Sequence, residues 1–166
     1  MKRGKALSDN KTFNNPIFNQ LPKQWEIYKL GEILDGLIDF RGKTPKKIGM
    51  DWGGGDIPAL SANNVEMGKI NLKKETYHAS ENLYNKWMNK GDTEYGDIVM
   101  TMEAPLGNIA QIPDNKKYIL SQRVLLLKTK RDFVCNNFLK HQLMSQIFQS
   151  ILKKNATGTT ATGISN

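Results

Sequence analysis

Apolar and polar positions alternate with different periods along the chain. In "WEIYKL", Trp25 and Ile27 alternate with Glu26 and Tyr28, the period of a short strand, and "LGEIL" then closes one helical turn. "DGLIDFRGKTPKKIG" starts on an apolar pair and finishes as a loop broken by Gly42, Pro45 and Gly49. "DWGGGDIP" is a second loop. "IPALSANNV" reads as a buried strand running into a polar turn, and "EMGKINL" as a turn followed by a short strand. In "SENLYNKWMN", Leu83, Trp87 and Met88 share one helical face, with Ser80 placed as N-cap. Strands follow from about Asp97, in "GNIAQIP", and across "KYILSQRVLLLKTK", the last two joined by "DNKK".

From about Asn136 the period becomes helical. Leu139, Leu143, Ile147 and Ile151 recur every fourth position, and Phe138, Met144, Phe148 and Leu152 thicken the stripe. This predicts one long C-terminal helix, capped by Asn136 or Asn137, with Lys153 and Lys154 in the last turn, where the dipole favours positive charge. A small polar run, "NATGTTATGISN", comes next. The sum is a compact α+β (mixed α/β) domain with a twisted, mainly antiparallel sheet and long glycine-rich loops. It shows no βαβ rhythm and no internal repeat. Residues 1–22 are polar, Asn-rich and Lys-rich without a period, so they read as a flexible leader and 23–166 as the domain.

Composition narrows the partners. The 166 residues suffice for one core, and a 39% hydrophobic share is ordinary for a globular chain. No run approaches the roughly twenty apolar residues of a membrane span. "MKRGKALSDNKTFNNP" lacks the apolar stretch of a signal peptide, so the expected location is the cytoplasm. Cys135 is the sole cysteine, which excludes an internal disulfide and a cysteine zinc cluster; beside Val134 it reads as an inert thiol in apolar surroundings. His78 and His141 lie in different elements without metal-ligand spacing, and no metal or cofactor is implied. The net charge of +8 favours a polyanionic partner: DNA, RNA or an anionic membrane.

No catalytic constellation emerges. "GGGDIP" and "GTTATG" match neither a P-loop nor GxGxxG, and no GxSxG elbow surrounds Ser121. The short Asn/Asp-Pro-Pro-aromatic run of an amino-methyltransferase is absent. Glu103 is a lone carboxylate after a strand; a hydrolase using Glu103 and His78 is the enzymatic alternative. Loops, by contrast, are rich in donors and acceptors. "FRGKTPKK" gathers Arg41, Lys43, Thr44, Lys46 and Lys47, side chains suited to phosphates. "SANN" offers Ser61, Asn63 and Asn64, able to pair with base edges and equally able to build a turn. Gln122, Arg123 and Thr159 complete the candidate DNA-binding set. Gln122 and Arg123 are neighbours in an expected strand, so one of them should face inward. Trp52 can stack or plug the core.

Taken in order, "WEIYKLGEIL", "FRGKTP", "IPALSANNV", "YGDIVMTMEAPLGNIAQIP", "SQRVLLLKT" and the closing "ATGTTATGIS" resemble the target recognition domain of type I restriction–modification specificity subunits, over about residues 22–165. The resemblance implies a subunit with two such domains in tandem, each reading one half of a split double-stranded DNA site. Long helices between them form a coiled-coil spacer that docks two methyltransferase subunits. The subunit catalyses nothing itself; it directs adenine methylation by one partner and cleavage by an ATP-driven restriction partner. This sequence holds one such domain and stops at Asn166, where the family enters its spacer helix. The expectation is therefore a single half-reader, truncated before the helix that serves docking, with pairing of two copies as a homodimer, through a helix face or an exchanged segment, left open. A third alternative is an interaction module of such a complex with only non-specific DNA affinity.

Overall fold

The computed structural model of the chain describes residues 21–121 and 123–156. Its centre is a four-stranded antiparallel sheet in the order β1 (Leu34–Asp39), β9 (Val124–Thr129), β6 (Ile98–Met102), β7 (Leu106–Gln111). A three-stranded sheet places β2 (Ile57–Leu60) between β5 (His78–Ala79), antiparallel, and β8 (Ile119–Leu120), parallel. β3 (Val65–Glu66) and β4 (Lys69–Ile70) form a hairpin against β7.

The apolar runs of β6 and β9 explain the layering. β6 is buried at all five residues, so both faces of the sheet must be covered. Ile98, Met100 and Met102 of β6, with Leu125 and Leu127 of β9, pack against α2 (Asn136–Met144) and α3 (Gln146–Lys154) through Leu139, Leu143 and Leu152. The alternate residues Val99, Val124 and Leu126 join a second cluster with Leu60, Leu120 and, from α1 (Glu81–Trp87), Leu83 and Trp87. The Trp87 indole N–H donates to the Leu120 carbonyl at 2.9 Å, fixing α1 to β8. Ser80 caps α1 by accepting from the Leu83 amide at 3.2 Å, as the sequence predicts.

The α+β architecture and the mainly antiparallel sheet match the expectation. Four local elements differ. Trp25–Lys29 is not a strand: Trp25 and Tyr28 instead make edge contacts with Phe138 and Phe133, at 6.3 and 5.1 Å between ring centroids. "LDGLID", read only as the end of a helical turn and an apolar pair ahead of a loop, is β1, because pairing with β9 supplies the hydrogen bonds its small and polar positions do not announce. "KYILSQRVLLLKTK" is two strands, β8 and β9, separated at Ser121–Arg123, each in a different sheet. The single long C-terminal helix is two helices. Ser145 sits between them with extended backbone (φ −62°, ψ 149°), and its hydroxyl caps α3 by accepting from the Phe148 amide. The break turns the stripe: Leu139, Leu143 and Leu152 are buried, while Ile147 and Ile151 are exposed. Cys135, not an asparagine, holds the N-cap position of α2 and is exposed, contrary to its apolar reading. Asn136 instead bonds the Thr129 hydroxyl and donates to the Gly96 carbonyl at 2.9 Å.

Candidate nucleic-acid interface

Register decides where the loops go. Asp39 pairs with Leu125, Thr101 with Val124 and Met102 with Leu106, so the loop after β1, the turn before β9 and the loop between β6 and β7 leave from one end of the large sheet. The parallel pairing of Leu60 with Leu120 carries the turn after β2 to the same end, where the Ser121 amide donates to the Leu60 carbonyl at 2.8 Å. "FRGKTPKK", "SANN", Ser121 and Arg123, far apart in sequence, are thereby gathered on one rim.

The cations of the first loop are not equivalent. Arg41 is committed to Asp39, with an ion pair at 2.6 Å and an Nε donation at 2.8 Å. Burial opposes the Asp39 charge, but the Arg41 bonds outweigh it and hold its carboxyl below the ordinary range. Lys43 Nζ donates to the Trp87 carbonyl at 2.8 Å and lies 5.0 Å from the Phe40 ring centroid. Lys90, absent from the sequence-based set, reaches the same ring at 5.6 Å and donates to the Asp39 carbonyl at 2.8 Å. Burial, and then the charge of Lys90, push the Lys43 ammonium below its ordinary value. Lys47 donates to the Gly42 carbonyl at 2.6 Å, and Lys46 is exposed. Among the described residues, Lys43, Lys46, Lys47 and Lys90 have no carboxylate in ion-pair range. Thr44 precedes a 3-10 turn over Pro45–Ile48 and makes no side-chain cap. That turn ends at Gly49, whose left-handed φ of 69° a side chain would strain.

The "SANN" turn separates its two asparagines. Asn64 is fully buried. Its carbonyl accepts from the Ser61 hydroxyl at 2.6 Å and the Ser61 amide at 3.1 Å. Its amide donates to the Thr76 hydroxyl at 2.8 Å and to the Glu75 and Asn71 carbonyls. With all its hydrogen-bonding capacity used, Asn64 leaves the base-edge candidates and builds the turn. Ser61 is half-buried and shares that network. Asn63 is exposed, with no partner for its side-chain amide among the described residues. Trp52 is neither a pure plug nor a free ring: it stacks on exposed Tyr77 at 5.7 Å and 13°, and tilts against Trp87 at 5.6 Å.

Arg123 is exposed and ion-paired with Glu103, Nε to Oε1 at 3.1 Å. The hydrolase alternative needs Glu103 beside His78; His78 lies on β5, its carbonyl taking the Gly53 amide, and no contact joins it to Glu103 among the described residues. Gln122 and Thr159 lie outside the described residues, as do residues 1–20 and the closing run 157–166. No group of three or more His, Cys, Asp or Glu among the described residues is placed to hold a metal ion, and no helix there is long and apolar enough to cross a membrane.

The opposite end of the sheet carries charge of another kind. Asp97, fully buried, pairs with Lys128 and Arg131 at 2.7 Å each and accepts from the Glu94 amide at 2.9 Å. Burial works against the Lys128 charge, but Asp97 and Glu94 outweigh it and raise its pKa. A cleft of about 560 Å³ lies here, lined by Tyr95, Gln111, Pro113, Arg131 and Asn137 among others.

This geometry has relatives. The model of the type I restriction modification DNA specificity domain matches residues 22–166. The type I restriction enzyme MjaVIII specificity subunit of Methanocaldococcus jannaschii is 28% identical over 162 residues, covering 93% of this chain and 36% of that protein. The chain thus spans about a third of the relative's length. The fold is shared with the S subunit of a type I restriction–modification system from M. genitalium (TM-score 0.52, 16% identity, 83% of this chain and 30% of that one). It is shared too with the HsdS subunit from Thermoanaerobacter tengcongensis (TM-score 0.55, 16% identity, 87% and 34%). With the family model matching from residue 22 to the last residue given, the chain belongs to the type I restriction modification DNA specificity domain family.

Proposed function

We propose that residues 23–166 form a double-stranded DNA reader without catalysis of its own, preceded by a leader over 1–22. It acts in the cytoplasm and recognises one half of a split site for the methyltransferase and restriction subunits of a type I complex. The observation that carries this reading is the asymmetry of the sheet ends. Lys43, Lys46, Lys47 and Lys90, with no carboxylate in ion-pair range among the described residues, gather at the end where Asn63 and Arg123 are exposed, while at the other end Lys128 and Arg131 are neutralised by Asp97 and Glu94 and Lys130 bonds the Glu32 carbonyl. Lys43, Lys46 and Lys47, with Thr44 and the added Lys90, take phosphates, while Arg41, held by Asp39, shapes their loop; Ser61, Asn63 and Arg123, with Gln122 and Thr159, are the groups assigned to bases.

Selection of bound sequences from a randomised duplex pool, at two salt concentrations, tests the proposal. Enrichment of a short motif, with affinity falling along a log–log salt slope of about −0.9 per phosphate neutralised, is expected. Binding without enrichment leaves a basic surface only, and no binding at low salt refutes the reading.

A further inference from the structure

Arg123 and Glu103 occupy the middle of the reading end. Glu103 follows β6 and Arg123 precedes β9, the two central strands, and the Met102 amide donates to the Arg123 carbonyl at 3.0 Å. Their side chains meet at 3.1 Å and stay half-exposed, 49% for Arg123 and 40% for Glu103. A guanidinium paired with a carboxylate is poorly suited to a phosphate, because the carboxylate cancels its charge and repels the incoming anion. The lysines without acidic partners nearby serve that purpose better. What the pair does offer is a fixed row of N–H donors from Arg123 beside a carboxylate acceptor from Glu103.

That row complements one base-pair edge. In the major groove a G·C pair presents two acceptors, N7 and O6 of guanine, and then the N4 amino donor of cytosine. An A·T pair puts the adenine N6 donor where Arg123 would need an acceptor. We infer that Arg123 and Glu103 together read a single G·C pair, Arg123 donating to guanine N7 and O6 while Glu103 accepts from cytosine N4 and holds the guanidinium in plane. The inference rests on the DNA-reading proposal and names the base pair that its central side chains select.

The test uses the same pool selection on the full chain, wild type, Arg123→Ala and Glu103→Ala, followed by titration of the selected site carrying 7-deazaguanine, which lacks N7. The wild type should enrich a motif with an invariant G·C pair. Arg123→Ala should lose preference at that pair alone, by on the order of ten- to a hundredfold, with the other positions retained. Glu103→Ala should weaken the same position and no other. The 7-deazaguanine site should weaken binding of the wild type and leave Arg123→Ala unaffected. A motif unchanged in both variants overturns the inference while leaving the DNA-reading proposal standing. Uniformly tighter binding by Glu103→Ala at every sequence also overturns it, because Arg123 would then be contacting phosphate. Absence of any motif in the wild type refutes the proposed function and this inference with it. Both side chains are half-exposed, so unchanged unfolding midpoints are expected and separate a binding loss from misfolding.

Discussion

The two ends of the four-stranded sheet hold most of their lysines differently, although Lys130 bonds a backbone carbonyl at one and Arg41 and Arg123 are ion-paired at the other. At one end Lys128 and Arg131 close on the buried Asp97, and Glu94 adds a second carboxylate. At the other, among the described residues, Lys43, Lys46, Lys47 and Lys90 bond to backbone carbonyls or ring faces, or stand exposed, and none is in ion-pair range of a carboxylate. The first arrangement uses its charge inside the molecule and holds strands and loops together. The second keeps its charge for a partner. Burial, and then repulsion from Lys90, lower the pKa of Lys43 there, with no carboxylate to oppose them. A net charge of +8 is thus not evenly spread in function: what matters is which lysines lack an acid.

Substitutions that strike one end and spare the other break this contrast most sharply. Asp97→Ala leaves Lys128 and Arg131 around an emptied buried site, and should lower stability by about 3 kcal/mol in urea unfolding. The base preference of the folded fraction should not change. Asn64→Ala strips the Ser61 turn of its internal bonds and should cost about 2 kcal/mol. Asn63→Ala, its exposed neighbour, should stay within about 0.5 kcal/mol of wild type in stability and act on binding instead. Replacing Lys46, Lys47 and Lys90 together by alanine should reduce the salt slope by about 0.9 for each phosphate no longer neutralised, measured by titration at several salt concentrations. Lys128→Ala should leave that slope unchanged.

The smallest effect lies in the β3–β4 hairpin, where Lys69 and Lys74 share Glu66 at 3.2 and 2.9 Å. By charge balance this hairpin belongs with the neutralised end. Bonds from Lys74, then Asn71 and Lys69, hold the Glu66 carboxyl down at about 2, against an ordinary 4.5. A depressed folded-state pKa means that the stabilisation is complete above about 4.5 and fades as pH falls towards 2. Glu66→Gln should therefore flatten stability against pH across that window and nowhere above it, as read from unfolding midpoints.

Much of the candidate site is legible in the sequence as composition, less of it as geometry. "FRGKTPKK" announces a cationic glycine–proline loop, and the loop is there. Its sorting is not legible: nothing in the string says that Arg41 is taken by Asp39 two positions earlier while Lys46 is exposed. Lys90 escapes notice because it stands 51 positions beyond Asp39, past α1, and reaches the rim only through the fold. Asn63 and Asn64 are adjacent and chemically identical, yet one is exposed and the other fully buried. The break at Ser145 is equally hidden, since a serine inside an apolar four-residue period reads as a tolerated polar position until its hydroxyl is seen capping α3.

The sequence alone determined the class of the molecule: a basic α+β domain with no recognisable catalytic motif, apolar periods of strand and helix, and loops supplied with phosphate- and base-pairing groups. Those properties follow from local composition and period, which need no knowledge of distant partners. Tertiary structure decided which groups are paired within the molecule and which are left over. Strand register brings Leu60 beside Leu120, and Thr101 beside Val124, and so carries three distant loops to one end. Proximity in space then fixes which cations find carboxylates. An ion pair such as Lys128 with Asp97 or Arg123 with Glu103 joins residues far apart in sequence or across strands, and the long-range pairing that makes it is a property of the folded chain as a whole.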